Sequence, residues 1–285
     1  MSRRTPLLRL AAAGVAIAAL ALAGCASGPG DAVNPTASGD DGWVTPGKIT
    51  IATGEPAYYP WVIDDAPESG EGFEAAVAFA VAEELGFAAD DVVWVRTGFE
   101  AAIAPGPKDF DVNLQQFSIT DERKESVDFS SPYYETTQVV VTTGASPAAD
   151  ATSIADLKDL LIGAQTGTTS FTTIESVIEP TQGAQAFNTN DEAKLALENG
   201  LVDAIVVDLP TAFYISGVEL TDGVLVGSLP TPEGASGDQF GFVLAKDSPL
   251  TAQVTAAVDA LRENGTLDEL AAEWLGGEGQ APLLQ

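Results

Sequence analysis

The side chains able to do chemistry are few and of restricted kinds. The chain of 285 residues has no histidine and a single cysteine, Cys25. No disulfide can form within it, and the missing histidine removes serine–histidine and cysteine–histidine triads together with most zinc sites. An enzyme built on this chain would have to work with carboxylates, lysines or tyrosines. What remains are fixed charges beside hydrogen-bonding groups. Arg123 stands in Asp121-Glu122-Arg123-Lys124, a run that by default is solvated charge; its guanidinium is also a planar fork of donors that can hold a carboxylate bidentately, as a lysine cannot. Gly167-Thr168-Thr169 falls between a strand and a helix start, where backbone N–H groups and the helix dipole can seat an anion. Asp208 ends an apolar strand, either as a counter-charge or as the cap of a helix near Pro210. Tyr58 and Trp61 are either core aromatics or a wall over a ligand.

These residues sit on a regular alternation of elements. Ile49-Thr50-Ile51-Ala52 reads as a strand that runs into the aromatic turn 54–61. Phe73, Val77, Val81 and Leu85 repeat every four residues after Gly72, with Gly86 at the helix end. Strands are expected over 92–95, 109–114 and 138–143, and Ile162-Gly163-Ala164 leads to 167–170 and a helix through Ile174 and Ile178. Asn190 is expected to cap a helix over 191–199 that Gly200 ends, before the strand 204–207. Leu250, Val254, Val258 and Leu261 form a helical stripe, and Thr266-Leu267-Asp268-Glu269 reads as a capping box for a last helix carrying Leu270 and Trp274. The alternation predicts α/β layers with largely parallel sheets.

Arg3, Arg4 and Arg9 precede an apolar run from 10 to 22, too short to span a membrane and typical of a signal peptide. Leu22-Ala23-Gly24-Cys25 resembles the lipobox of bacterial lipoproteins, which implies cleavage before Cys25 and a diacylglyceryl (palmitate-type) anchor on its sulfur. Ser2-Arg3-Arg4 partly resembles a twin-arginine leader, so either export route stays open. Residues 25–47 then read as the lipidated cysteine and a flexible tether rich in Gly, Pro, Ser, Ala and Asp. The net charge is −30, from 12 basic and 42 acidic residues. Such a surface repels nucleic acid and anionic lipid, so contact with the membrane is expected only through the lipid. Its acidity is read as a soluble surface rather than a lure for cations.

The run 110–134, Phe-Asp-Val-Asn-Leu-Gln-Gln-Phe-Ser-Ile-Thr-Asp-Glu-Arg-Lys-Glu-Ser-Val-Asp-Phe-Ser-Ser-Pro-Tyr-Tyr, resembles the central signature of the family 3 (polar amino acid type) extracellular solute-binding proteins of ABC transporters. Further matches fall in the family's order: 55–61 its first binding loop, 72–74 its first helix, 165–170 its second-lobe anion loop, 202–208 its amine-contacting strand, and 264–276 its C-terminal helix. The resemblance, from about 48 to 276, implies a type II periplasmic-binding-protein fold with two α/β lobes and two crossover strands. Lobe 1 would comprise 48–136 and 242–276, lobe 2 137–241, and 277–285 a tail. It implies a monomeric, cofactor-free receptor at the extracytoplasmic face of the cell membrane, delivering a small amino-acid-like ligand to an ABC permease.

A zwitterion needs a fixed cation for its carboxylate and a fixed anion for its ammonium, in a cleft that excludes water. By resemblance Arg123 takes the α-carboxylate with Gln165, Thr168 and Thr169 around the second anion seat. Asp208, Ser118 and the main chain of Gln116 take the ligand backbone and ammonium, and Tyr58 covers the ligand side chain. Glu55, where an acid often meets a cationic side chain, points to a basic or polar solute. The chain departs from the family in Ala76, where a second acid is usual, and in Gln115-Gln116, which replace small residues and are expected to select a polar side chain. Arg96 is the one further arginine weighed for an acidic side chain. Two other functions fit the same scaffold: a cyclic amino acid dehydratase, as some relatives look to be, and a sensor subunit signalling through a partner.

Overall fold

The computed structural model describes residues 42–231, 237–276 and 280–285. Its strands are β1 (Ile49–Thr53), β2 (Val92–Arg96), β3 (Val112–Asn113), β4 (Val127–Phe129), β5 (Tyr134–Thr136), β6 (Gln138–Thr143), β7 (Ile162–Gln165), β8 (Gln185–Phe187), β9 (Ala204–Asp208), β10 (Gly223–Ser228), β11 (Asp238–Phe240) and β12 (Val243–Ala245). Its helices are α1 (Phe73–Glu84), α2 (Phe99–Ile103), α3 (Asp121–Lys124), α4 (Thr169–Thr173), α5 (Asn190–Glu198), α6 (Leu209–Tyr214), α7 (Thr251–Glu263) and α8 (Thr266–Trp274). They form two five-stranded sheets flanked by helices. The first sheet has the order β2-β1-β3-β12-β4, the second β10-β6-β9-β7-β8.

Apolar content explains which strands are central. β1 is buried along its whole length and runs parallel to both neighbours, as a strand covered on two faces must. In the second sheet Val139, Val140 and Val141 of β6 face Val207, Val206 and Ile205 of β9. Around β1 gather Phe73, Val77 and Val81 of α1 with Val254, Val258 and Leu261 of α7 and Leu267 of α8. The stripe at four-residue spacing thus becomes one core built from both ends of the chain. The chain leaves this sheet through β5 and returns through β11, which pair antiparallel with Tyr134 opposite Phe240.

Several elements differ from their sequence pattern. The strand expected over 109–114 is regular only over Val112–Asn113, with Asp111 N donating to Thr50 O (2.8 Å) before it and Leu114 N to Ala52 O (3.0 Å) after it. The Asp111 carboxylate accepts from the N–H groups of Val44 (2.7 Å) and Thr50 (2.6 Å). Those bonds, and Trp43 set edge-on to Phe87 with centroids 4.8 Å apart, bring the end of the expected tether onto the first sheet's core. Thr189, not Asn190, caps α5 through its hydroxyl oxygen, which accepts from Glu192 N. No capping box forms at α8, whose N-cap is Gly265 in a left-handed turn. At the C-terminus, Leu283 bridges to Ser228 and Leu284 is buried in the second sheet's core. Residues 1–24 and Cys25 lie outside the described residues.

Gly72 opens α1 at φ 102, and a Cβ there would meet the Trp61 carbonyl oxygen at 2.6 Å. Gly86, just past the helix, has φ 90 but nothing within 4 Å. Gly72→Ala is therefore expected to destabilise the fold by about 2 kcal/mol or more, and Gly86→Ala by about 1. Denaturant unfolding of the two variants checks the order; equal losses would show that backbone crowding at Gly72 is relieved elsewhere.

Candidate functional site

Arg123 is buried although it belongs to a charged run. Thr120 caps its short helix by accepting from Arg123 N (3.1 Å), and this turns the guanidinium inward. There Nη1 donates to Ser118 O (2.7 Å) and Nη2 to Gly167 O (2.9 Å), so one side chain spans from the first sheet's loops to the second's. The guanidinium carbon lies 5.3 Å from the ring centroid of Phe99, which in turn stacks on Phe117. Burial pulls the Arg123 pKa down to about 10, against the opposing pull of Asp238, Glu122 and Asp208. The guanidinium therefore stays charged at neutral pH.

Asp208 occupies the N-cap position of α6, yet its side chain makes no capping bond. Its Oδ1 instead accepts from Gln138 Nε2 (3.1 Å), its partner across the β6–β9 pair. The same amide nitrogen donates to Asp238 Oδ2, on the returning crossover strand. Gln138 Oε1 is spent on Ser170 Oγ at 2.6 Å. Burial, then the nearby charge of Asp238, push the Asp208 carboxyl up to about 8, with the Gln138 bond working the other way. The Thr169 hydroxyl donates to Asp238 Oδ2 (2.9 Å) and lies 3.0 Å from the Ser118 hydroxyl, closing a second bridge between the sheets.

On the first sheet's side a third acid organises the wall. Glu74 of α1 is buried, and its Oε1 accepts from Gln116 N at 2.8 Å. Tyr133 Oη also donates to Oε1, and Gln116 Nε2 donates to Oε2. Gln116 sits in the left-handed region at φ 51, a conformation these bonds compensate. Burial raises the Glu74 pKa to about 7 against those same bonds. The loop after β1 is held differently: Arg96 donates to Gly54 O (2.8 Å) and pairs with Asp65, and it does not line the cavity that the other groups enclose.

These groups enclose a cavity of about 30 Å³. Of the residues expected from the sequence, Arg123, Asp208, Ser118, Gln116, Gln165, Thr168, Thr169 and Tyr58 line it. Glu55 does not; it is exposed on the loop outside. Trp61 is fully buried and donates to Thr211 Oγ1 (3.0 Å), so it packs rather than lines. Phe99, Gln115, Ser170, Asn190 and Val207 complete the wall. Gln138 and Asp238 stand behind it, and sequence reasoning had missed both as site residues. Gln138 is the one polar residue opening an apolar strand, which was a usable signal; nothing local marked Asp238. The space suits about one water molecule, so an amino acid enters only if the sheets move apart. A larger hollow of about 750 Å³ between Phe79, Phe87 and Leu270 offers little polar convergence. Among the described residues no acidic, cysteine or histidine cluster converges to hold a metal.

The family model of the bacterial extracellular solute-binding proteins, family 3, matches residues 49–277. An L-arginine-binding protein of Pseudomonas aeruginosa is 32% identical over 234 residues, covering 76% of this chain and 83% of that protein. An ancestral arginine-binding protein, solved bound to glutamine, superposes with a TM-score of 0.67 at 29% identity, covering 81% of this chain and 99% of that one. The ancestral amino acid-binding protein AncCDT-1, a precursor of cyclohexadienyl dehydratase, gives 0.65 at 29% identity, covering 80% and 95%.

Glu74 and Asp208 hold their protons more tightly folded than at their ordinary values of 4.5 and 3.8. Their contribution to stability is complete below about pH 4 and is lost as pH rises through about 7 and 8. The ligand-free protein should therefore lose denaturant resistance between pH 5 and pH 8.5, and Asp208→Asn should flatten that slope. Because the acidic surface has its own pH dependence, the difference between the two profiles is the decisive reading. Identical slopes would refute the raised Asp208 pKa.

Proposed function

The chain belongs to the bacterial extracellular solute-binding proteins of family 3, and we propose that it is the receptor of an ABC importer, capturing an α-amino acid between its two sheets. The observation that carries this reading is one cavity in which a charged guanidinium and a carboxyl arrive from the two sheets. A ligand carboxylate takes the place of the Gly167 carbonyl on Arg123 and adds the N–H groups at the start of α4. Its ammonium takes Asp208, the Ser118 hydroxyl and the Gln116 carbonyl. Solute thus replaces protein–protein bonds that already span the cleft, which is hinge closure around a ligand. The Pseudomonas arginine-binding relative and the glutamine-bound ancestral protein support an amino acid as the solute.

The localisation we infer is the extracytoplasmic face of the cell membrane, through a lipid on Cys25 following the leader 1–24. Among the described residues no helix is long and apolar enough to cross a membrane. The receptor acts as a monomer on an ABC permease and needs no cofactor. A second reading, a cyclic amino acid dehydratase, draws on one observation: the Asp208 carboxyl, raised to about 8, is able to donate a proton at neutral pH. The likeness to the dehydratase precursor adds to it. Incubation with arogenate or prephenate decides it, since appearance of an aromatic product favours the enzyme and none favours the receptor.

Two outcomes test the receptor reading. A free amino acid at about 100 times its dissociation constant should stabilise the protein by about 2.7 kcal/mol in thermal unfolding. Arg123→Ala should abolish that gain and the calorimetric heat while the variant remains folded by circular dichroism; retained affinity would remove the carboxylate assignment. Binding an ammonium also requires Asp208 to ionise. Calorimetry near pH 7 in buffers of different ionisation enthalpy should therefore report proton release, and no release would place the ammonium elsewhere.

A further inference from the structure

The last residues of the chain change sides. Helix α8 belongs to the first sheet's core, where Leu267 is buried and Leu270 and Trp274 pack against it. From Gln280 onward the chain lies on the second sheet instead. Leu284 is buried in that sheet's core with Val226 and Leu229. Main-chain bonds fix the segment: Ser228 N donates to Pro282 O (2.8 Å), Leu284 N to Ser228 O (2.9 Å) and Ile154 N to Gln285 O (3.2 Å). The tail thus pairs with the end of β10, the edge strand of its sheet. That strand is shaped to receive it. Its register against β6 shifts between Leu225 and Gly227, and a Cβ on Gly227 would stand 2.5 Å from Pro282 O and 2.7 Å from Leu284 Cγ. Glycine alone leaves the tail its place.

Chain length turns this docking into a restraint. Three residues separate Gly276 from Gln280, so the two stand no more than about 14 Å apart however the sheets move. β5 and β11 already carry the chain between the sheets, and the docked tail adds a third covalent connection. It lands beside the other two, since Leu229 N donates to Gln138 O (2.8 Å) just past β5. The cavity of about 30 Å³ admits an amino acid only when the sheets separate. A short tie that fits the closed form and trims the open ensemble shifts the balance towards closure, whichever solute is bound.

We propose that residues 280–285 are a strap that ties α8 to the second sheet and limits how far the cleft opens. Its effect on affinity rests on the receptor reading above, whereas its effect on opening needs no ligand. Nine Gly and Ser residues inserted after Gly276 slacken the tie and leave every docking contact available. With Cys25→Ser removing the native thiol, spin labels at Glu68→Cys and Leu195→Cys, both exposed and one beside each sheet, report the separation by double electron–electron resonance. In the ligand-free protein the insertion should move the distances outward and broaden them. Leu284→Asp, which undocks the tail, should do the same. The insertion should keep the melting temperature of the parent protein, and it should weaken all amino acids that bind by one common factor, about threefold or more. Unchanged distances in the insertion variant would overturn the strap. Outward movement in Leu284→Asp alone would do so too, because the tail would then serve only the second sheet's core. Absence of binding by any amino acid would overturn the receptor reading and leave the distance measurement as the test of the strap.

Discussion

The arrangement of the cleft follows from keeping one guanidinium charged while most of its water is removed. Arg123 is 8% exposed and has no carboxylate in direct contact. Its charge is compensated at a distance by Asp238, Glu122 and Asp208, and at contact by two carbonyl oxygens and the face of Phe99. A buried cation satisfied only by neutral acceptors is a good anion site, because those acceptors can be exchanged for a carboxylate at a net electrostatic gain. Had an acid of the chain paired with it directly, a solute would have to displace a full ion pair. The geometry keeps the acids close enough to preserve the charge and too far to occupy the fork.

The acids face the converse problem, since Asp208, Asp238 and Glu74 lie close to one another in a region short of cations. Amides solve it. Gln138 donates from one nitrogen to both Asp208 and Asp238 while its oxygen is fixed by Ser170. Gln116 and Tyr133 do the same for Glu74. Burial, joined at Asp208 by repulsion from Asp238, appears as pKa values raised to about 8 for Asp208 and about 7 for Glu74. Asp208 is thereby held ready to ionise when a cation arrives, while the amides keep its position unchanged. Asp238 also reaches Thr169, and through it Ser118, so the crossover strand is bonded to the contact that spans the sheets.

How much of this was legible in the sequence depended on range. Elements defined by local periodicity were readable: β1, α1, β6, β9 and the stripe of α7 follow directly from apolar spacing. Local pattern failed where a distant partner decided the outcome. The Asp111 carboxylate serves the N–H groups of Val44 and Thr50, both more than 60 positions away. The helix caps failed by single residues, since Thr189 and Asn190 are both good caps and only the entering backbone chooses between them. Arg123 and Asp208 could be singled out because they sit in long signatures, and both line the cavity. Gln138 and Asp238 act through partners 70 and 100 positions away in sequence, and no linear pattern records such bonds.

The same distinction separates the two ends of the cavity. A head group with two opposite charges demands fixed charges in return, and residue types that supply them are conspicuous in any chain poor in histidine and cysteine. The rest of the wall is neutral, and its meaning lies in what each group has already bonded. Gln115 and Gln116 show this most directly, because type and position make them equivalent on paper. The left-handed turn at Gln116 directs its amide to Glu74 and exhausts it, while the space over Gly54 receives its neighbour, whose Oε1 is buried without a bond. Recognition of charge can thus be read from composition and motif, whereas selection among neutral chemistries is a property of the hydrogen-bond ledger in the folded protein.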